Sequence, residues 1–227
     1  MGIKKLTLAQ KINVLRASVM GANDGIISVA GIVLGVAGAN QSSFAILISG
    51  FAGMLAGTVS MAMGEYVSVH SQKDAEISAI KRSKQALNND YDQQFNYVKS
   101  KLVDTGIPAE LAHDATNEMM QKSAVKTLVR EKYGFEIDDQ TSPYAAALAS
   151  MISFPLGSLL PLLSILVIPK QFHILGTMIA VLISLVFTGY FAAILSHSNR
   201  FHGTIRNLIA GLLTMVVTYY VGTLFSL

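Results

Sequence analysis

Two carboxylates stand apart from every other acidic residue of the chain. Asp24 and Glu65 lie in apolar surroundings, while 12 of the 14 acidic residues fall between about 71 and 143. Met61 precedes Glu65 by four positions, one turn along the same helical face. Two hard oxygen ligands beside a soft thioether favour a first-row divalent transition ion over magnesium or calcium. The same two carboxylates can balance a divalent cation or exchange it for protons. An ionisable group inside a bilayer is costly and by default marks a substrate or proton path. The plainer alternatives stay open at this point: Met61 as ordinary packing, and Glu65 as a side chain snorkelling to the interface.

The elements that must position these residues follow from where charge is missing. Of 227 residues, 52% are hydrophobic and 14% charged, against about a quarter charged in a soluble domain. Mean hydropathy is +0.48. No Asp, Glu, Lys or Arg occurs in 25–64, 140–169, 171–199 or 207–227. A membrane-crossing helix needs about 20 mainly apolar residues. The first gap holds parts of two spans, split by Asn40-Gln41-Ser42-Ser43, and each of the others holds one. The reading is an all-α integral membrane protein with five transmembrane helices, near 16–38, 44–69, 145–168, 173–196 and 205–226. The first is expected to be a retained span and not a cleaved signal peptide.

Three parts result: 1–70 with helices one and two, a helical insert over 71–143, and 144–227 with helices three to five. The insert is expected to form Ile77–Leu87, Phe95–Val103, Ala109–Met120 and Ser123–Tyr133, with a break at Gly106-Ile107-Pro108 and Gly134 as a terminal cap. With the N-terminus inside, the short inner segments hold six basic residues (Lys4, Lys5, Lys11, Arg16, Arg200 and Arg206) and the outer ones only Lys170. That asymmetry predicts a cytoplasmic N-terminus and insert. At 1.5 Å per residue, Asp24 and Met61 each lie roughly 15 Å from the cytoplasmic side, at one level if helices one and two are antiparallel neighbours. No Lys or Arg is expected deep enough in a span to neutralise the carboxylates.

Gly21/Gly25, Gly31/Gly35 and Gly53/Gly57 are small-xxx-small pairs. They suit close packing between helices one and two or across a dimer. Helix three carries Pro155 and Pro161 around Gly157, suited either to a bend or to plain packing. His197 and His202 read as solvated loop residues. With no cysteine there is no disulfide and no thiolate chemistry. A formal charge of +3 without a basic tract argues against nucleic acid as a partner. No phosphate-binding G-x-x-x-x-G-K-[ST] run occurs, which argues against an ATP-driven pump.

The stretches Met20-Gly21-Ala22-Asn23-Asp24-Gly25-Ile26-Ile27-Ser28 and Gly57-Thr58-Val59-Ser60-Met61-Ala62-Met63-Gly64-Glu65-Tyr66 resemble the vacuolar iron transporter family, in its bacterial-type variant. So do Ser153-Phe154-Pro155-Leu156-Gly157 and Leu160-Pro161-Leu162, and the order of two helices, insert and three helices. The resemblance implies a homodimeric, proton-coupled exporter of ferrous iron or manganese whose pathway lies at the dimer interface. Its first-helix Asp and second-helix Met fall on Asp24 and Met61. A further acidic position of helix two falls on Gly53, and Glu65 is the available substitute. The Glu cluster with which iron-storing members hold metal falls on Ser83, Ala86, Gln94, Tyr97 and Lys132, so it is lost. A different set, Glu110, His113, Asp114 and Glu118, shares one face of an insert helix. It is either a divalent-ion site or a solvated face.

The expectation is therefore a membrane-lipid-embedded metal exporter with Asp24, Met61 and Glu65 on its path, no enzymatic activity and no cofactor beyond the transported Fe2+ or Mn2+. The cell membrane is the expected location. The rivals are a membrane-anchored regulatory or scaffold protein with a partner-binding insert, and a transporter of another cation or small cationic solute.

Overall fold

The computed structural model describes residues 8–137 and 142–226, apart from the side chain of Ala9. Lys4 and Lys5, used in the charge count, lie outside the described residues. The described chain is helical: α1 (Leu8–Gly38), α2 (Ser43–Asn89), α3 (Tyr91–Asp104), α4 (Ala109–Tyr133), α5 (Pro143–Val167), a 3-10 turn (Lys170–Phe172), α6 (His173–Leu195) and α7 (Arg200–Thr223). Among the described residues five segments are long and apolar enough to cross a bilayer: Gln10–Gly38, Ser43–Asn89, Pro143–Val167, Lys170–Leu195 and Arg200–Thr223. The protein is an all-α integral membrane protein.

Two compact units emerge. One holds Ser68–Ser142 together with the described residues before Ile12; the other holds Ile12–Val67 and Pro143–Leu227. In the second unit α1 is the hub. Its Val29 and Val33 enter a core with Ile46 and Met54 of α2 and Phe154, Leu162 and Ile165 of α5. Its Ile26, Ala30 and Leu34 enter another with Val181 and Leu185 of α6 and Met215 of α7. Two apolar stripes on one helix thus serve two cores, as expected of a span that packs on several sides.

The glycine pairs of α1 find partners other than the expected ones. Gly21 and Gly25 lie against Ser150, Phe154 and Ser158 of α5, and Gly31 and Gly35 lie against Thr214 and Thr218 of α7. On α2, Gly53 faces Ile32 of α1 and Gly50 faces Val33 of α1 together with Leu162 of α5, whereas Gly57 faces Phe154 of α5. Close approach to α5 lets the Ser158 hydroxyl donate to the Gly25 carbonyl at 3.2 Å and the Ser150 hydroxyl to that of Ala17 at 3.4 Å. Glycine removes the Cβ that would hold the backbones apart, and the serines turn that approach into interhelical hydrogen bonds. Helix α5 remains one helix through Pro155 and Pro161.

Between α1 and α2, Asn40 takes a left-handed φ of 56° and the Ser42 hydroxyl accepts the Ala45 N–H at 3.2 Å, capping α2. No break separates the second span from the first expected insert helix: α2 is continuous through 70–76. That stretch has no glycine or proline, and Gln72 donates to Glu76 one turn on at 3.1 Å. In the insert, Asp90 caps α3 by accepting the Gln93 N–H at 2.8 Å. Gly134 closes α4 with a left-handed φ of 76°. The two helices expected over 109–133 meet at a kink at Ser123 (φ −168°, ψ 89°), where the Thr127 hydroxyl donates to the Met119 carbonyl at 3.0 Å. Val98, Met120 and Leu128 form the insert's core, with Leu87, Phe95, Tyr97 and Ala124 packed around it.

Candidate metal pathway

Two contacts fix the register of α1 against α2. Arg16 meets Glu65 at one end, and Gly53 meets Ile32 toward the other. The helices are antiparallel, and Asp24 is the midpoint of 16–32 while residue 59 is the midpoint of 53–65. Asp24 therefore lies within about two residues, or roughly 3 Å of helix rise, of the level of Met61. Met61 is half-buried and packs against the core shared by α1, α2 and α5.

Asp24 is exposed on the surface of the single chain. Its Oδ1 accepts the Ser28 hydroxyl at 2.6 Å, a short charge-assisted bond from one turn along α1. Arg16, Met20, Asp24 and Ser28 recur every four residues and form a polar stripe on this helix. Beyond Ser28 the stripe runs into an apolar groove of about 590 Å³ between α1 and α7, lined by Gly31, Ile32, Gly35, Thr218 and Gly222 among others. Next to Asp24, Asn23 points elsewhere: its Oδ1 accepts the Thr188 hydroxyl at 2.7 Å and ties α1 to α6.

Glu65 behaves in the opposite way. It is 7% exposed, and its Oε2 receives Arg16 Nη2 at 2.9 Å. This corrects the expectation that no cation lies close enough to neutralise a carboxylate within a span. Helix α1 begins at Leu8, two turns earlier than predicted, so Arg16 lies inside it and opposite Glu65. Glu65 is also not a side chain reaching freely for the interface. Arg16 further donates to Asn13 Oδ1 at 3.3 Å and to Met20 Sδ at 3.2 Å. Met63 is exposed and Met54 buried in the core, on either side of Met61. Tyr66 and Tyr144 meet with ring centroids 5.4 Å apart and planes tilted by 59°, as an aromatic pair where α2 leaves and α5 enters the membrane unit. A Cβ at Gly53 would meet the Ile32 side chain, so the glycine at that position lets α2 approach α1.

In the insert, Glu110, His113, Asp114 and Glu118 are all exposed, and His113 packs edge-on to Phe95 with centroids 5.2 Å apart. Among the described residues no three His, Asp or Glu side chains come close enough together to hold a metal. The positions aligned with the storage cluster of the iron-storing members have changed character. Ser83 and Gln94 are buried, and the Tyr97 ring carries Lys101 and Lys132 ammonium groups at 5.9 and 5.6 Å. A cation–π arrangement stands where a carboxylate cage would be needed. His197 and His202 are exposed; Asn199 caps α7 by accepting the N–H groups of Phe201 and His202.

A family model for the VIT family matches residues 15–223. The chain is 33% identical over 211 residues to the vacuolar iron transporter of Acanthamoeba castellanii, covering 92% of this chain and 78% of that one. It is 32% identical over 218 residues to vacuolar iron transporter homolog 1 of Arabidopsis thaliana, covering 95% and 85%. To vacuolar iron transporter homolog 2 of Oryza sativa subsp. japonica it is 35% identical over 214 residues, covering 93% and 90%.

Proposed function

The chain belongs to the VIT family, a family of transporters and not of enzymes, and on that premise we propose that it exports a divalent transition metal, ferrous iron or manganese, from the cytosol in exchange for protons. The observation that carries the reading is a carboxylate, Asp24, exposed midway along a membrane-spanning helix; the Arg16–Glu65 and Ile32–Gly53 contacts support a register that brings it near the level of Met61, with Glu65 one turn further toward the entrance. Glu65 receives the ion at the cytoplasmic mouth. Asp24 binds it mid-membrane, where an oxygen anion can trade a metal ion for a proton. Met61 adds the soft donor that favours a transition ion over calcium or magnesium. Ser28 donates to Oδ1 of Asp24 and so helps orient the carboxylate, which has acceptor capacity left for an ion.

The exposure of Asp24 supports a homodimer. A carboxylate facing lipid is strongly unfavourable, so the stripe from Arg16 to Ser28 needs a polar or protein neighbour. A second copy meeting it across α1 supplies a second Asp24 and encloses the path between copies. The distribution of basic residues supports a cytoplasmic N-terminus and insert, and export from the cytosol would run in the same direction whether the membrane is that of the cell or of a vacuole. The insert here acts without a metal reservoir, because Lys132 and Tyr97 occupy the relevant positions.

Purified protein in proteoliposomes tests this. Ferrous iron or manganese should enter vesicles oriented insert-outward, faster with an acidic lumen, and Asp24→Asn should reduce the flux to near that of protein-free vesicles while the protein remains folded. An Asp24→Asn variant that transports like the native protein would remove this site from the mechanism. Native protein with no metal flux at all would favour the membrane-anchored scaffold.

A further inference from the structure

The Arg16–Glu65 contact is unequal in a way that bears on how an ion enters. Glu65 is the buried partner: its side chain is 8% exposed, and that of Arg16 is 47% exposed. A buried carboxylate that loses its cation becomes an uncompensated charge, whereas a long guanidinium side chain can swing toward the water of the cytoplasmic entrance. Arg16 also has somewhere to stay after release. Asn13 and Met20 on its own helix already share its Nη groups, at 3.3 and 3.2 Å. The anion is therefore fixed and the cation movable. Moreover, Arg16 lies on the same face of α1 as Asp24, two turns nearer the cytoplasmic end, so the contact stands between the entrance and the mid-membrane carboxylate.

We propose that Arg16 is a tethered stand-in for the transported cation: it holds Glu65 while the entrance is empty, and an incoming divalent ion gains Glu65 only by displacing the guanidinium. The inference rests on the transport reading above. A single positive charge is a weaker partner for a carboxylate than a divalent ion that can also take Asp24 or Met61 oxygen and sulfur donors further in. The exchange is thus selective for ions able to outbid a guanidinium, and monovalent cations leave the latch closed. Only the fraction of molecules with Arg16 released is ready to bind, so the latch lowers apparent affinity by that fraction.

Half-saturation of ferrous iron flux in anoxic proteoliposomes tests the proposal. Arg16→Gln removes the competing charge and should lower the half-saturation concentration by about fivefold. Arg16→Lys keeps the charge and should stay within about twofold of native. If Arg16→Gln leaves half-saturation unchanged or raises it, or if Arg16→Lys tightens binding as much as Arg16→Gln, Arg16 is only a helix anchor. The native protein supplies a measurement that does not depend on a variant folding. Modification by phenylglyoxal, read by peptide mass mapping, should become faster at Arg16 when ferrous iron is present and stay constant at Arg82 of the insert. Equal or slower labelling of Arg16 with iron overturns the latch. Failure of the latch is distinct from failure of the underlying reading, which would appear as absence of iron flux in the native protein.

Discussion

Replacing Gly157 by alanine puts the α1–α5 seam under direct test. A Cβ at Gly157 would collide with the Ala22 carbonyl oxygen, and would lie 2.9 Å from its carbonyl carbon and 3.1 Å from its Cα. All three are backbone atoms, so no rotamer change relieves the clash. The helices must part by about 1 Å, which stretches the 3.2 Å Ser158–Gly25 hydrogen bond beyond useful length. Overpacking costs about 1–3 kcal/mol and the hydrogen bond about 1 more, giving roughly 2–4 kcal/mol. For a chain of this size that corresponds to roughly 4–16 °C in the unfolding midpoint. Gly64→Ala is the matched control. Nothing lies within 4 Å of a Cβ there, so the better helix former should stabilise α2 by up to about 1 kcal/mol. The chain has neither tryptophan nor cysteine, so the readout is the monodisperse fraction recovered on size exclusion after graded heating in detergent. Because Ala22 is two residues from Asp24, iron flux should also fall in Gly157→Ala at temperatures where the protein stays folded. Gly157→Ala surviving heat as well as native, or Gly64→Ala losing as much as Gly157→Ala, would refute the packing argument.

Three further outcomes are expected. In this cysteine-free chain, Lys170→Cys should react with an impermeant maleimide on intact cells and Gln121→Cys only after permeabilisation; the reverse pattern inverts the topology. Met61→Leu conserves volume and should keep the fold while lowering ferrous iron flux by about tenfold, and unchanged flux would reduce Met61 to packing. Asp90→Ala removes the cap that accepts the Gln93 N–H. It should cost about 1 kcal/mol and speed hydrogen exchange at the first turn of α3, with no effect on half-saturation for metal.

The number of spans was legible because charge is absent from them and crowded into the insert, a contrast that survives errors of several residues at each end. Helix ends were less so. The α2 helix runs from Ser43 to Asn89 because nothing local breaks it, and a shift from apolar to charged composition does not end a helix whose polar residues pair at i, i+4. The Ser123 kink has no proline or glycine to announce it; it rests on a hydroxyl eight residues away in sequence from the carbonyl it satisfies. The partners of the glycine pairs were equally hidden. A small-xxx-small pair reveals that a close neighbour exists, but the choice of α5 and α7 over α2 is made by side chains on those helices, Ser150, Ser158, Thr214 and Thr218.

The two carboxylates exchange the environments that their positions suggested. Asp24, midway along its span, is exposed on the single chain, while Glu65, near an interface, is buried and paired. Depth along a helix is readable from sequence; the direction a side chain faces depends on which neighbours the helix chooses. Once α1 commits Val29 and Val33 to one core and Ile26, Ala30 and Leu34 to another, the stripe of Arg16, Met20, Asp24 and Ser28 is what remains. That remainder carries the charged side chains Arg16 and Asp24, while Asn23 on another face is already satisfied by Thr188. A bilayer penalises such a face and a partner surface rewards it. On the dimer proposed above, the uncovered Asp24 is the part of the path that a second copy would complete, and the single chain, with Glu65 already buried and paired, would supply one wall of it.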